Sequence, residues 1–314
     1  MKIPSLSDIQ EAQNNIDMFI NHTPIQVSGL LNKKFNSSLY FKCENFQKVG
    51  AFKFRGATNA VLNLSSSERV FGVATHSSGN HAQALALAAK MQGLDSYIVM
   101  PNNSPKVKSN AVAGYGANIT FCEPNLRDRE LSLEKIIESS KANVIHPYEN
   151  YNVICGQGTV ALEILDTVQH LDMIIAPVGG GGLLSGTAIA TKELNPNIKV
   201  YGAEPLGAND AFRSLKENKL IPSVNPDTIC DGLLTSLGEI NFEIIQKYVD
   251  DIFTVTDQEV IEAMKLIWER MKIIIEPSSA TVLAAVMVNM AKFEGKNIGL
   301  ILSGGNVDLD NLPW

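Results

Sequence analysis

Leu171–Leu194, LDMIIAPVGGGGLLSGTAIATKEL, joins a short apolar run to a helical pattern through four consecutive glycines, Gly179, Gly180, Gly181 and Gly182. Consecutive glycines let several backbone N–H groups converge on one anion, and a helix starting near Leu183 adds its positive end. The stretch therefore predicts a phosphate cradle. A flexible turn is the alternative, but such a turn rarely needs four glycines wedged between a buried strand and a helix. Met173–Thr191 carries little charge, yet its five glycines, Ser185 and Thr187 fit strand, loop and helix better than a membrane span.

Outward from this stretch, short apolar strands alternate with helical patterns. On the N-terminal side stand RVFGVAT, DSYIVM, NITFC and ANVIHPY, separated by NHAQALALAAKMQG, SPKVKSNAVAGYGA and LSLEKIIESSK. Beyond it come NIKVYGAEP, a long helix around QEVIEAMKLIWERMK, and NIGLILSGG. Such alternation implies βαβ units and an α/β fold with parallel sheets covered on both faces. Ligands in these sheets bind outside the carboxyl ends of the strands. Three strand ends carry loops rich in glycine, serine or asparagine: HSSGNH after Thr75, GGGG after Val178 and SGGN after Leu302. Together they predict a site.

The phosphate is not that of a dinucleotide, because G-x-G-x-x-G fails: starting at Gly181 puts Leu183 where the second glycine must be. No G-x-x-x-x-G-K-[ST] occurs either. Instead a lysine stands out in NFQKVGAFKFRGATNAVLNL, Asn45–Leu64, where Lys53 lies between two phenylalanines as a helical pattern begins. Ala57, Ala60, Val61 and Leu64 continue its stripe, which puts the lysine on the inward face. Burial and the positive helix end both push the amine toward the neutral state that a Schiff base needs. The alternative is a lysine that snorkels to the surface. A phosphate cradle with a buried reactive lysine elsewhere suggests pyridoxal phosphate, whose aldehyde condenses with an amine.

A chain of 314 residues can bury a full core and suggests two subdomains. The net charge of -7 argues against nucleic acid or an anionic membrane as partner. Cys43, Cys122, Cys155 and Cys230 lie far apart with no C-x-x-C, so no zinc site or redox pair is signalled and a reducing cytoplasm is expected. MKIPSLSDIQEAQNN lacks the apolar core of a signal peptide.

In order along the chain stand FKCENFQKVGAFKFRGA, HSSGNHAQALA, CGQGTVALEI, PVGGGGLLSG, GAEP, VDDIFTVT, WERMKIIIEP and LSGGNVDL. Over nearly its whole length the chain resembles the fold-type II pyridoxal-phosphate enzymes, and within them the serine racemase and serine/threonine dehydratase group. The resemblance implies the tryptophan synthase β-like architecture of two parallel-sheet domains. The large cofactor domain would be residues 1–71 and 150–314; a small mobile domain, residues 72–149, would close over the substrate. It further implies that Lys53 holds the cofactor and moves the α-proton, that Asn80 hydrogen-bonds its phenolic oxygen, that Gly179 to Gly182 hold its phosphate, and that Ser303 faces its pyridine nitrogen. Ser78 would be the second acid/base, on the opposite face of the substrate; binding of the substrate carboxylate is its alternative role. Ser77, Ser78 and His81 would meet that carboxylate. Arg129 matches a position lining the substrate pocket, where it could grip a second carboxylate, or it is a solvated helix residue.

The same resemblance makes Glu204, Asp210 and the carbonyl of Ala208 a site for a divalent cation such as magnesium, manganese or calcium. Of the residues that bind a nucleotide in eukaryotic serine racemases only Lys48 is kept; Ser28 is a partial match, and Val49, Gly29 and Gln10 replace polar or acidic partners, which argues against nucleotide activation. Tyr148 replaces a residue near the cofactor. No C-terminal regulatory domain is expected after NVDLDNLPW. The expected activity is dehydration of serine or threonine to a 2-oxo acid and ammonia, with interconversion of L- and D-serine, in a cytoplasmic homodimer. The rivals are a 3-hydroxyaspartate dehydratase, a β-replacement enzyme and a catalytically silent binding protein on the same fold. Joint retention of Lys53, Ser78, the four glycines and Ser303 argues against the last.

Overall fold

The computed structural model describes residues 2–77, 79–104 and 106–314. Among the described residues ten strands form two sheets: β1 (Ile25–Gln26), β2 (Ser38–Cys43), β3 (Val73–His76), β4 (Ser96–Pro101), β5 (Asn118–Cys122), β6 (Asn143–Val144), β7 (Met173–Pro177), β8 (Lys199–Pro205), β9 (Asp251–Val255) and β10 (Asn297–Leu302). One sheet has the order β1-β2-β10-β7-β8-β9, the other β5-β4-β3-β6. The pair β1–β2 is antiparallel and every other pair is parallel. The α/β fold expected from the alternation is the one observed. β7 is buried along its whole length and β10 in all but its first residue, as parallel strands covered on both faces must be.

Three strands escaped the pattern, the two-residue β1 among them. SLYFKC forms β2 although Lys42 interrupts its apolar run, because the Lys42 ammonium is buried in an ion pair with Glu163 at 2.5 Å and donates to the Thr23 carbonyl at 2.6 Å. DIFTV forms β9, an edge strand whose first residue is an aspartate.

The Lys53 helix, Lys53–Leu62, ends before Leu64 and is buried from Phe54 to Val61 rather than along one stripe. The reason is that it packs between two other helices, Asn80–Met91 and Tyr151–Thr167. The crossing with the second is close: a Cβ on Gly156 would stand 2.6 Å from the Gly56 Cα. On another face, the Tyr151 helix meets the Gly182–Leu194 helix equally closely, since a Cβ on Gly186 would stand 2.5 Å from the Gly158 nitrogen. Arg55 locks the first crossing. Its Nε and Nη2 donate to Glu44, each at 2.8 Å, its Nη1 and Nη2 to Glu163 at 2.5 and 3.0 Å, and its Nη1 also to Thr159 Oγ1 at 3.2 Å. Two buried cations, Lys42 and Arg55, thus face two carboxylates, and no charge in this cluster is left alone.

Candidate active site

The three loops picked out by sequence surround Lys53. The Phe52 N–H donates to the Ser303 carbonyl at 3.0 Å and Ala51 bridges Gly304, so the residues before the lysine are stitched to the loop after β10. The Lys53 amine turns inward and donates to the Pro147 carbonyl at 2.8 Å, with the Phe52 and Tyr148 rings 5.2 and 6.0 Å away. It does not snorkel. Burial pulls its pKa down to about 8, and the Glu276 carboxylate offsets part of that effect.

Asn80 opens its helix and is fixed from the opposite sheet. Its Nδ2 donates to Glu276 at 2.9 and 3.2 Å, and its Oδ1 accepts from Asn306 Nδ2 at 2.9 Å. Glu276 is the buried N-cap of the Pro277–Val288 helix. Burial, and next the Asp231 carboxylate, push its pKa up to about 7 against the opposing pull of Lys108 and Asn80.

The glycine loop follows β7, and Gly181 takes a φ of 94°, a conformation that favours glycine. A Cβ on Gly180 would overlap the Tyr148 ring, one on Gly181 would stand 2.6 Å from Leu237 Cδ1, and one on Gly179 3.0 Å from the Leu233 Cα. Asn241 Nδ2 binds the carbonyls of Gly180 and Tyr148 at 2.8 and 3.1 Å, which holds those carbonyls on the outer side. The first turn of the Gly182 helix is left to present backbone N–H groups with no carbonyl of their own helix to meet. Ser185 in that turn has a buried hydroxyl with no partner among the described residues. These features fit a phosphate, and the enclosed amine fits an aldehyde.

Ser303 is buried, with its Oγ 3.1 Å from Ser279 Oγ; Ser279 also brackets Gly304 through bonds of 2.6 and 2.7 Å. A neutral hydroxyl pair therefore stands where a pyridine nitrogen is expected. Ser77 donates its N–H to the Val99 carbonyl at 3.0 Å. Ser78 lies outside the described residues. His81 is buried with Nε2 on the Ile145 carbonyl at 2.9 Å, and burial, followed by Lys53, lowers its pKa to about 3, so it stays neutral. His146 is held near 4 by burial, His76 and Lys53, and its Nδ1 accepts from the Glu149 N–H at 2.9 Å. Arg129 lies on the Leu126–Ser140 helix with its Nε buried and unpartnered among the described residues, and its charge joins burial in lowering the His76 pKa.

Residues 16–304 match the family of pyridoxal-phosphate dependent enzymes. The chain belongs to that family. The serine racemase of Dictyostelium discoideum is 50% identical to this pyridoxal-phosphate enzyme over 99% of this chain and 98% of that one. The beta-hydroxyaspartate dehydratase of Paracoccus denitrificans (strain Pd 1222) is 45% identical over 100% of both chains. The crystal structure of the D. discoideum serine racemase has a TM-score of 0.93 and 51% identity, covering 97% of this chain and 99% of that one.

Sequence reading missed Glu276, Asn306, Pro147 and Asn241, each of which bonds to one of the expected site residues. Away from them, Glu204 is buried with its carboxylate on the N–H groups of Ala211 and Phe212 at 3.0 and 2.8 Å. Asp210 accepts from the Leu237 N–H at 2.8 Å through Oδ2, while its Oδ1 is buried without a partner among the described residues. Burial raises the pKa of both, and Asp210 adds to the rise at Glu204. Among the described residues no three His, Cys, Asp or Glu side chains cluster as a metal centre would have them.

Condensation with an aldehyde needs the free amine, and the fraction of free amine rises with pH up to the pKa. Uptake of pyridoxal phosphate by the cofactor-free protein, followed by visible absorption, should accelerate about tenfold per pH unit and flatten near pH 8. A fully hydrated lysine would go on accelerating toward its ordinary pKa of 10.5.

Proposed function

We propose that the protein is a pyridoxal-phosphate-dependent ammonia-lyase acting on serine and threonine, with serine racemase activity. The observation that carries this reading is the enclosed Lys53 amine, with its lowered pKa, beside a built glycine cradle. When bound, the cofactor supplies an electron sink for the charge left at Cα. The protein's own residues do the rest. The free Lys53 amine takes the α-proton at Nζ. Gly179 to Gly182 hold the phosphate with backbone N–H groups, Asn80 offers an amide N–H toward the phenolic oxygen, and Ser303 offers a neutral hydroxyl, which leaves the pyridine nitrogen without a carboxylate partner and the sink moderate. Ser77, Ser78 and the helix start at His81 receive the substrate carboxylate. Ser78, on the other face, returns a proton to Cα for racemisation; loss of the β-hydroxyl as water instead gives an enamine, which a water molecule hydrolyses after release to the 2-oxo acid and ammonia.

Residues 72–149 form the unit that closes on the substrate, and closure excludes water from Lys53. A second reading, 3-hydroxyaspartate as substrate, is favoured by the unpartnered Arg129 Nε, a donor suited to a second carboxylate. Glu204, the Ala208 carbonyl and Asp210 form a structural site for magnesium, manganese or calcium, supported by the orphaned Asp210 Oδ1 and by two enclosed carboxylates whose charges a cation would offset. The cytoplasm is the proposed compartment. A homodimer would cover Val27 and Leu30, largely exposed apolar side chains beside the edge strand β1. Among the described residues no helix is long and apolar enough to cross a membrane.

Lys53→Ala should abolish both the visible absorption of the loaded protein and release of 2-oxo acid, and Ser78→Ala should stop L- to D-serine conversion while some elimination from L-serine persists. Chiral chromatography and oxo-acid assay read the two outputs; unchanged racemisation in Ser78→Ala would refute the two-face scheme. Arg129→Met should lower kcat/KM on 3-hydroxyaspartate by about 10- to 100-fold and leave serine within about twofold. Magnesium at about a hundred times its Kd should stabilise the wild type by about 2.7 kcal/mol against chelator, seen as a raised Tm, and Asp210→Asn should lose that gain.

A further inference from the structure

Two of the side-chain bridges between the parts built on the two sheets lead to Glu276. The inner bridge is the one already described, from Asn80 to Glu276 and Asn306. The outer bridge pairs Lys108, on the Lys106–Gly114 helix between β4 and β5, with Asp231 at the start of the short turn Asp231–Leu233. Lys108 is buried to 11% exposure while Asp231 is half-exposed. That turn is wedged between three parts of the site. Gly232 donates its N–H to Ser278 Oγ at 3.1 Å, and a Cβ on Gly232 would stand 4.0 Å from Glu276 Oε1. Leu233 is the wall behind Gly179. Neither Lys108 nor Asp231 has a task in the chemistry above.

The charges give the pair a purpose. Groups facing Glu276 are Asp231, Lys108 and Lys53 among the charged, and Asn80, Asn306 and Ser278 among the polar. Asp231 disfavours a second negative charge beside it, and Lys108 offsets part of that repulsion. As a carboxylate Glu276 can only accept, so Asn80 must present its amide nitrogen; a protonated Glu276 can donate, and the Asn80 amide is then free to turn its oxygen inward. We propose that Lys108, tied to Asp231 across the lobes, is what favours the acceptor form of Glu276 against the Asp231 charge, so that closing of the 72–149 unit and correct orientation of Asn80 are one event. Lys108 and Asp231 are positioning residues, and the proposal rests on the reading of the site given above.

The test uses the loaded enzyme with L-serine as substrate. Lys108→Met should keep the visible absorption of the lysine-linked cofactor and raise KM about tenfold or more, with a smaller loss in kcat. Asp231→Asn should be milder, since it removes the repulsion together with the tie. The double variant Lys108→Met/Asp231→Asn should then be less impaired than Lys108→Met alone, and the exchange Lys108→Asp/Asp231→Lys should recover much of the loss. Wild-type kinetics in Lys108→Met, or a double variant as poor as or poorer than Lys108→Met, would overturn the proposal while leaving the lyase reading in place. Absence of visible absorption in the wild type would instead sink the lyase reading and the tie with it.

Discussion

Gly56 rests on Gly156 where the two connections between the sheets cross. The Lys53 helix carries the chain from β2 in the larger sheet to β3 in the smaller, and the Tyr151 helix carries it back from β6 to β7. A side chain at Gly156 would force the helices apart, because its nearest atoms are backbone, and one at Gly56 would overlap Gln157 Nε2 and stand 2.7 Å from the Val153 carbonyl. The same Tyr151 helix meets the Gly182 helix at Gly158 and Gly186. One helix therefore sets how far the amine of Lys53 stands from the N–H groups of the glycine loop.

Charge is distributed around this crossing in two ways. Arg55, two residues from Lys53, is as deeply buried but faces two carboxylates, and the guanidinium stays charged because its partners offset desolvation. Lys53 has a carbonyl for its nearest partner and Glu276 as its opposing charge, so desolvation prevails and the amine approaches neutrality. Two cations on one helix turn thus serve different ends: one ties the helix down, and the other is made nucleophilic by being under-compensated.

The three loops and Lys53 were legible because each follows from a local rule: loops at the carboxyl ends of parallel strands, glycines before a helix, an amine at a helix start. The stripe through Leu64 was misread, since a helix buried between two others has no single inward face. β2 was hidden by Lys42, whose charge reads as surface until Glu163 is known to lie opposite. Glu276 and Asn306 bind Asn80 from 196 and 226 residues away, a pairing no local pattern records. Glu276 nevertheless left a trace: a residue before proline at the start of a long apolar run reads as an N-cap at a helix end.

The lysine thus stands where the parts built on the two sheets meet. Backbone bonds from Phe52 to Ser303 and the bridge from Ala51 to Gly304 tie it to the larger sheet, while the Pro147 carbonyl, after the last strand of the smaller one, accepts from its amine, and Asn80, after the first, binds Glu276. In the closure proposed for residues 72–149, Asn80 and Pro147 would move with the smaller sheet around an amine held on the larger one. Such a closure would exclude water without displacing Lys53, the residue proposed to take the α-proton. The glycine contacts hold this arrangement, since Gly156 lets the Tyr151 helix lie directly against the backbone of the Lys53 helix.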